Sequence, residues 1–202
     1  MKTKHTFQLF SFTLLLTLAL AALTDCKSTK SNLENLSGVY SDPKPYSYGK
    51  AFGHRRFSFE NQKWALDFTL SLDPEGKVPV FSFRTLGNFK ILNESSAVPN
   101  AWNAIFYEDK KFLTLKTNDK NLIQAFRFSD CNLQMGEEKD ISEIGCSAWL
   151  PISVCNEDHD LLMLNSEGGL HFGERPFDNN MCSADKRPKT LTSPVVKIGG
   201  IA

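Results

Sequence analysis

The sequence predicts an all-β domain, an antiparallel meander of short strands that closes into a barrel or packs as a sandwich. Three observations predict it. From Ser37 onward apolar and polar residues alternate at period two, polar turn clusters interrupt the alternation at short intervals, and helical periodicity is absent. The chain also holds 16 Phe against 4 Tyr and 3 Trp. Phe carries a large apolar surface and no polar handle, so these rings belong in a core, a cavity wall or an interface.

The first element is an export signal, assigned to residues 1–25. Lys2 and Lys4 precede Phe7–Leu23, an apolar run without an acidic residue that is short for a stable membrane span. Leu23-Thr24-Asp25-Cys26 then resembles the bacterial lipobox, in which Leu three residues ahead of a Cys guides lipid transfer to the thiol. Asp25 stands where that pattern has Gly, Ala or Ser. Lipidation of Cys26 makes residues 26–36 a polar tether. The alternative is ordinary signal cleavage near Ala21 or Ala22, which leaves Cys26 a free thiol.

The domain is assigned to 37–196 and a short tail to 197–202. Phe57 and Phe59 alternate with Arg56, Ser58 and Glu60; Trp64, Leu66, Phe68, Leu70 and Leu72 alternate with Ala65, Asp67, Thr69, Ser71 and Asp73. One face of such strands is buried and the other wet. Asp73-Pro74-Glu75-Gly76 is turn chemistry. Phe81, Phe83, Phe89 and Ile91 share one parity in the strand expected over Val78–Leu92, and Gly87 within it predicts a bulge or sharp bend. Further strands are expected at Trp102–Phe106, Phe112–Lys116, Leu122–Phe128, Trp149–Val154, Leu161–Leu164 and Leu170–Phe172. Asp130–Gly145 reads as a long loop.

In an exported chain Cys131, Cys146, Cys155 and Cys182 form an even set of disulfide candidates once Cys26 is set aside. Four cysteines allow three connectivities. Pairing neighbours in order closes the shortest loops and is preferred. No Cys-x-x-Cys occurs and the four His show no ligand spacing, so neither a metal nor another cofactor is expected.

Formal charge balances at 23 basic against 23 acidic residues, which removes the field that gathers nucleic acid. There is no Gly-x-Ser-x-Gly elbow, phosphate loop or His-Glu-x-x-His. Asn156-Glu157-Asp158-His159-Asp160 is the one dense polar cluster able to hold a cation or move a proton, and it reads more simply as a solvated turn beside Cys155. A hydrolase built on Glu157–Asp160 is therefore the weaker expectation, and no catalytic residue is assigned.

The stretch Leu170–Leu191 resembles the closing motif of the adenomatosis polyposis coli down-regulated (Wnt-inhibitor) domain family. Gly173, Arg175, Pro176, Asp178, Arg187 and Pro188 occupy the positions of its Gly, its Arg-Pro-x-Asp loop and its second Arg-Pro. Arg56-Phe57-Ser58-Phe59 resembles the family's first long strand, and Pro79–Phe89 its Pro-to-Gly-x-Tyr strand with Phe replacing Tyr twice. The similarity covers roughly Leu36–Val196. Ser37–Ser41 departs from it, with Tyr40 for Trp and no nearby Cys, and the chain resembles a single-domain bacterial relative.

The resemblance implies a single-domain, antiparallel lipocalin-like β-barrel with an apolar pocket. The expected function is a membrane-anchored lipoprotein of the cell envelope that binds a hydrophobic small molecule or lipid acyl chain, with Phe57, Phe59, Trp64, Phe68, Phe81, Phe83 and Phe89 as pocket walls. A barrel filled by its own side chains fits the same alternation. The alternative expectation is a protein-interaction module that uses the Arg175–Arg187 loop on a barrel scaffold.

Overall fold

The computed structural model describes residues 29–176 and 178–199. The expected signal segment, Cys26 and the end of the tail lie outside them. The strands are β1 (Gly38–Ser41), β2 (Tyr46–Tyr48), β3 (Ala51–Glu60), β4 (Lys63–Ser71), β5 (Pro79–Glu94), β6 (Trp102–Tyr107), β7 (Lys110–Leu115), β8 (Glu138–Asp140), β9 (Glu157–Leu164), β10 (Leu170–Phe172) and β11 (Val196–Ile198). Eight of them, in the order β10-β9-β6-β5-β4-β3-β1-β11, form one nearly closed antiparallel barrel.

Closure comes from the C-terminal segment. Leu170 exchanges two backbone hydrogen bonds with Val195, and the next residues pair as β11 with β1. A buried ion pair fastens this seam from inside. Arg55 donates to both carboxylate oxygens of Asp42 at 2.7 and 3.1 Å, to the Thr192 hydroxyl at 2.6 Å and to the Ser193 carbonyl at 2.9 Å. Four acceptors satisfy a guanidinium that would otherwise be costly to bury.

Strand β5 is long enough to run past two partners, β7 over Phe81–Leu86 and β6 over Phe89–Ile91. Between the Leu86–Lys110 and Phe89–Phe106 pairings, Gly87 and Asn88 face Tyr107, Glu108 and Asp109. One extra residue on the partner side is a β-bulge, the irregularity Gly87 predicted. A Cβ at Gly87 would run into the Tyr107 carbonyl oxygen, so the close approach of the two backbones requires glycine here.

The bulge separates two aromatic cores on the inner face. Phe57, Phe59, Trp64, Phe89, Trp102, Phe106 and Phe172 fill the barrel. Phe81, Phe83, Leu113, Phe128 and Ile141, with Phe68, Phe126 and Trp149 packed against them, form a second core under the excursion 116–155. Strands β4 and β5 supply both cores, β4 at one parity with Trp64 in the first and Phe68 and Leu70 in the second.

The domain begins before Ser37. Residues 29–34 are helical, and Leu33 and Leu36, expected in the tether, are buried in the barrel core. Leu33 lies in the helix and Leu36 two residues past its end. At the other end, Lys197 and Ile198, expected in the tail, pair with β1.

Three local expectations are corrected. Leu122–Phe128 is not a strand: Asp119 accepts hydrogen bonds from the Asn121 and Leu122 amides and starts a helix over Lys120–Ala125. Trp149–Val154 is turns, since Pro151 removes a ladder donor and Trp149 turns back to bond Cys146. The loop Asp130–Gly145 contains β8, which extends the sheet beyond β7. Leu72 is exposed because the register shifts after Leu70.

Cys131–Cys146 closes a loop within the excursion and Cys155–Cys182 ties its end to the segment after β10, the neighbour pairing preferred from the sequence. Such bonds belong to an oxidising, exported location. No helix of the described residues is long and apolar enough to cross a membrane.

Gly87→Ala is expected to cost at least about 2 kcal/mol in denaturant unfolding, because backbone atoms cannot yield as a flexible side chain would. A shift below about 0.5 kcal/mol would show that the bulge does not require glycine.

Candidate functional site

The seven aromatic pocket candidates are all inside, but they contact other rings. Phe57 stacks on Phe172 with centroids 3.9 Å apart, Phe59 meets Phe89 edge-on at 5.3 Å, and Trp64 meets Phe106 at 4.7 Å. In the second core Phe83 stacks on Trp149 at 4.8 Å, and Phe81 touches Phe68, Phe126 and Phe128. Thus Phe57, Phe59, Trp64 and Phe89 come together in one core, whereas Phe68, Phe81 and Phe83 belong to the other. Ring pairs of this kind contribute about 0.5–1.5 kcal/mol each beyond area burial.

The barrel mouth beside Trp102 is covered by Leu33 and Leu36, and Lys30 lies 5.7 Å from the Trp102 ring. At the opposite end of β6, beyond Tyr107, a recess of about 280 Å3 opens between the excursion and the Arg175 loop. Its walls include Ser147, Ala148, Trp149, Leu150, Asn179 and Asn180, and the Cys155–Cys182 disulfide joins them. A more open hollow of about 440 Å3 lies beside it along Ile144–Pro151. None of the seven aromatic candidates lines either depression.

The floor of the recess is built by the bulge. Glu108, within the bulge, donates its amide to the Asn156 carbonyl, and its buried carboxylate meets Lys111 Nζ at 2.8 Å. Lys111 also donates to the Leu150 and Cys155 carbonyls at 3.0 and 2.8 Å, which occupies all three of its protons. Beside this pair, Arg175 Nη1 donates to Asp158 at 2.6 Å and Arg175 Nε to the Asn179 side chain at 2.6 Å. The Arg175 side chain keeps 31% of its surface exposed.

Sequence reasoning placed Asn156–Asp160 in a solvated turn. Residues from Glu157 onward instead form β9, and alternation sends Asp158 and Asp160 inward while His159 Nε2 meets the Glu157 carboxylate at 3.1 Å on the other face. Asp160 accepts hydrogen bonds from the Leu161 and Gly173 amides. A side chain at Gly173 would collide with that carboxylate at 2.5 Å and with the Pro188 ring at 2.6 Å.

The remaining motif residues fit the same pattern. Arg187 reaches across to the Asp160 and Ala104 carbonyls and His159, while Asp178, at the exposed rim, accepts from the Asn180 amide. Pro176 follows Arg175 on the way to that rim. The motif is therefore a latch that holds residues 173–176 and 178–188 against β9, with Arg175 and Asp178 lining the recess. Glu108, Lys111 and Asp158 carried no sequence signal as a group, because a bulge and a strand register bring them together.

Burial pushes the Asp160 carboxyl up to about 7 against the opposing effect of its backbone hydrogen bonds. Burial and the Asp158 charge push Glu108 upward as well, with Lys111 opposing. Burial works against the Arg175 charge, but Asp158, Asp160 and Glu108 outweigh it and hold the guanidinium protonated. Among the described residues no cluster of His, Cys, Asp and Glu is arranged to hold a metal ion.

The fold and recess define an exported, doubly crosslinked barrel with its polar opening at the disulfide-tied end. No family model matches this chain, and no curated protein matches it.

The raised carboxyl groups make stability depend on pH with a definite sign. Between the ordinary carboxylate range and about pH 7 the native state binds protons that the unfolded chain releases, so stability falls as pH rises through that window. Unfolding free energy is expected to drop by on the order of 1–3 kcal/mol between about pH 5 and pH 8. Asp160→Asn, which keeps an oxygen for both amides, is expected to flatten the profile. An unchanged slope in that variant would rule out Asp160 as the source.

Proposed function

We propose that the protein is a non-catalytic binding module of the bacterial cell envelope, anchored through an acylated Cys26, in which the barrel is scaffold and the recess is the contact surface. The observation that supports this reading most is the placement of polar groups. Seven rings chosen as pocket walls are spent on one another, while the opening to solvent lies where the bulge, β9 and the Arg175 loop converge. Helix 29–34 starts three residues after Cys26, and its Leu33 is buried in the barrel core. An anchor at Cys26 would then hold the mouth beside Trp102 toward the membrane and turn the recess away from it. The resemblance to the Wnt-inhibitor domains supports the barrel and the importance of the Arg-Pro loop, which here latches rather than protrudes.

Blocking the recess tests this. Ala148 is exposed and lines it, so Ala148→Trp fills the opening without touching the ion pairs. With Cys26→Ser in both proteins to remove the anchor, the blocked form should be retained on sedimented cell envelopes at least tenfold more weakly. Equal retention, with native disulfides in both, would show that contact is made elsewhere.

A second reading keeps the barrel as carrier of an acyl chain or other apolar guest. It is favoured by the mouth closed with Leu33 and Leu36, whose side chains a methylene chain can replace at about 0.8 kcal/mol per buried CH2. Native mass spectrometry of protein from its own envelope separates the two. A filled scaffold gives the mass of the acylated, doubly disulfide-bonded chain alone, whereas a carrier adds a guest that leaves on denaturation.

A further inference from the structure

We infer that the recess takes a neutral saccharide, most simply one terminal sugar unit of a longer chain; this rests on the recess being the contact surface. The first argument is charge. The floor holds Glu108 with Lys111 and Asp158 with Arg175, two closed pairs that cancel. Lys111 has no proton left for a ligand, since Glu108, Leu150 and Cys155 take all three. An anionic ligand would meet Glu108, Asp158 and Asp178 around a single partly engaged guanidinium, and a cationic one would meet Arg175. Neither sign of net charge is served.

The second argument is the distribution of hydrogen-bonding groups. Among the described residues Arg175 Nη2 reaches the Asn179 carbonyl, at 3.5 Å, a longer contact than those of Nε and Nη1 at 2.6 Å. The amide side chains of Asn179 and Asn180 and the carboxylate of Asp178 stand beside it on the same loop. Amide, carboxylate and guanidinium groups on one wall suit vicinal hydroxyls, which donate and accept at once. The facing wall is Ala148, Trp149 and Leu150, an apolar surface with an aromatic component. A pyranose ring has the same two characters, C–H groups on one face and hydroxyls around its rim.

Size and rigidity agree. A volume of about 280 Å3 lies just under the range of ligand pockets, which begins at ~300 Å3, so it admits a sugar unit and not a long chain. The Cys155–Cys182 bond fixes the polar wall to the start of β9, and a wall already in place loses little entropy on binding.

The test is a glycan array carrying neutral and acidic oligosaccharides, probed with the oxidised Cys26→Ser chain, followed by titration of the best neutral probe. Binding to neutral saccharides is expected, abolished by Ala148→Trp and weakened at least tenfold by Arg175→Lys, which keeps the charge and loses the fork. Unchanged thermal unfolding of Arg175→Lys excludes a folding defect as the cause. Binding confined to acidic glycans, binding that Ala148→Trp leaves intact, or no binding to any probe would each overturn the inference. If saccharides fail while retention on envelopes still depends on the open recess, only the ligand class is wrong. If both fail, the recess is not the contact surface.

Discussion

One extra residue opposite Gly87 governs the structure. A strand of sixteen residues cannot stay paired with a single straight partner while the sheet coils round a closed barrel. The bulge resolves this by letting β6 and β7 share β5 with a one-residue offset. It also switches the inner parity, from even positions through Glu108 to odd positions from Lys111, and so sets the two buried charges side by side. The interior consequently has aromatic rings on either side and a band of paired charges at the junction. Burying those charges is tolerable because each is closed by a partner within hydrogen-bonding distance.

The same band explains the Arg-Pro loop. The Met181 carbonyl accepts from the His159 amide of β9, and side chains add to that hold: Arg175 on Asp158, Arg187 on the carbonyls of β6 and β9, and Gly173 pressed between Asp160 and Pro188. Residues that look like a recognition motif in the sequence thus fix the loop that walls the recess. What remains outward is the amide-rich rim, Asn179 and Asn180, with the disulfide at Cys182 pinning its far end. Recognition and support are divided between neighbouring residues of one short segment.

Strand parity was legible where strands are long and one-faced. Trp64, Phe68 and Leu70, and the row Phe81, Phe83, Phe89 and Ile91, read correctly because burial on one side imposes period two on the composition. Gly87 and the cysteine pairing were legible for the same kind of reason, a local requirement written at one position. The Lys120–Ala125 helix was written in Asp119, an N-cap residue, but Leu122–Phe128 also fits a short strand, and a six-residue segment offers too few turns to decide. Leu33 and Leu36 are two apolar residues in a polar stretch, and only the open barrel mouth gives them a place. That one set of parities would serve two cores was hidden, since parity says which face is inner and nothing about what lies above it. The recess was hidden entirely, because Glu108 and Asp158 lie fifty residues apart and meet through the β6–β9 register.

A scaffold whose interior is occupied by its own rings is the premise on which the placement of binding at the recess depends. Xenon diffraction tests it directly, because the gas enters apolar space that protein atoms leave empty. Crystals of the described domain under xenon pressure should show no xenon among Phe57, Phe59, Phe89, Phe106 and Phe172. An ordered xenon atom at the centre of those rings would contradict the filled barrel and return the interior to consideration as the ligand site.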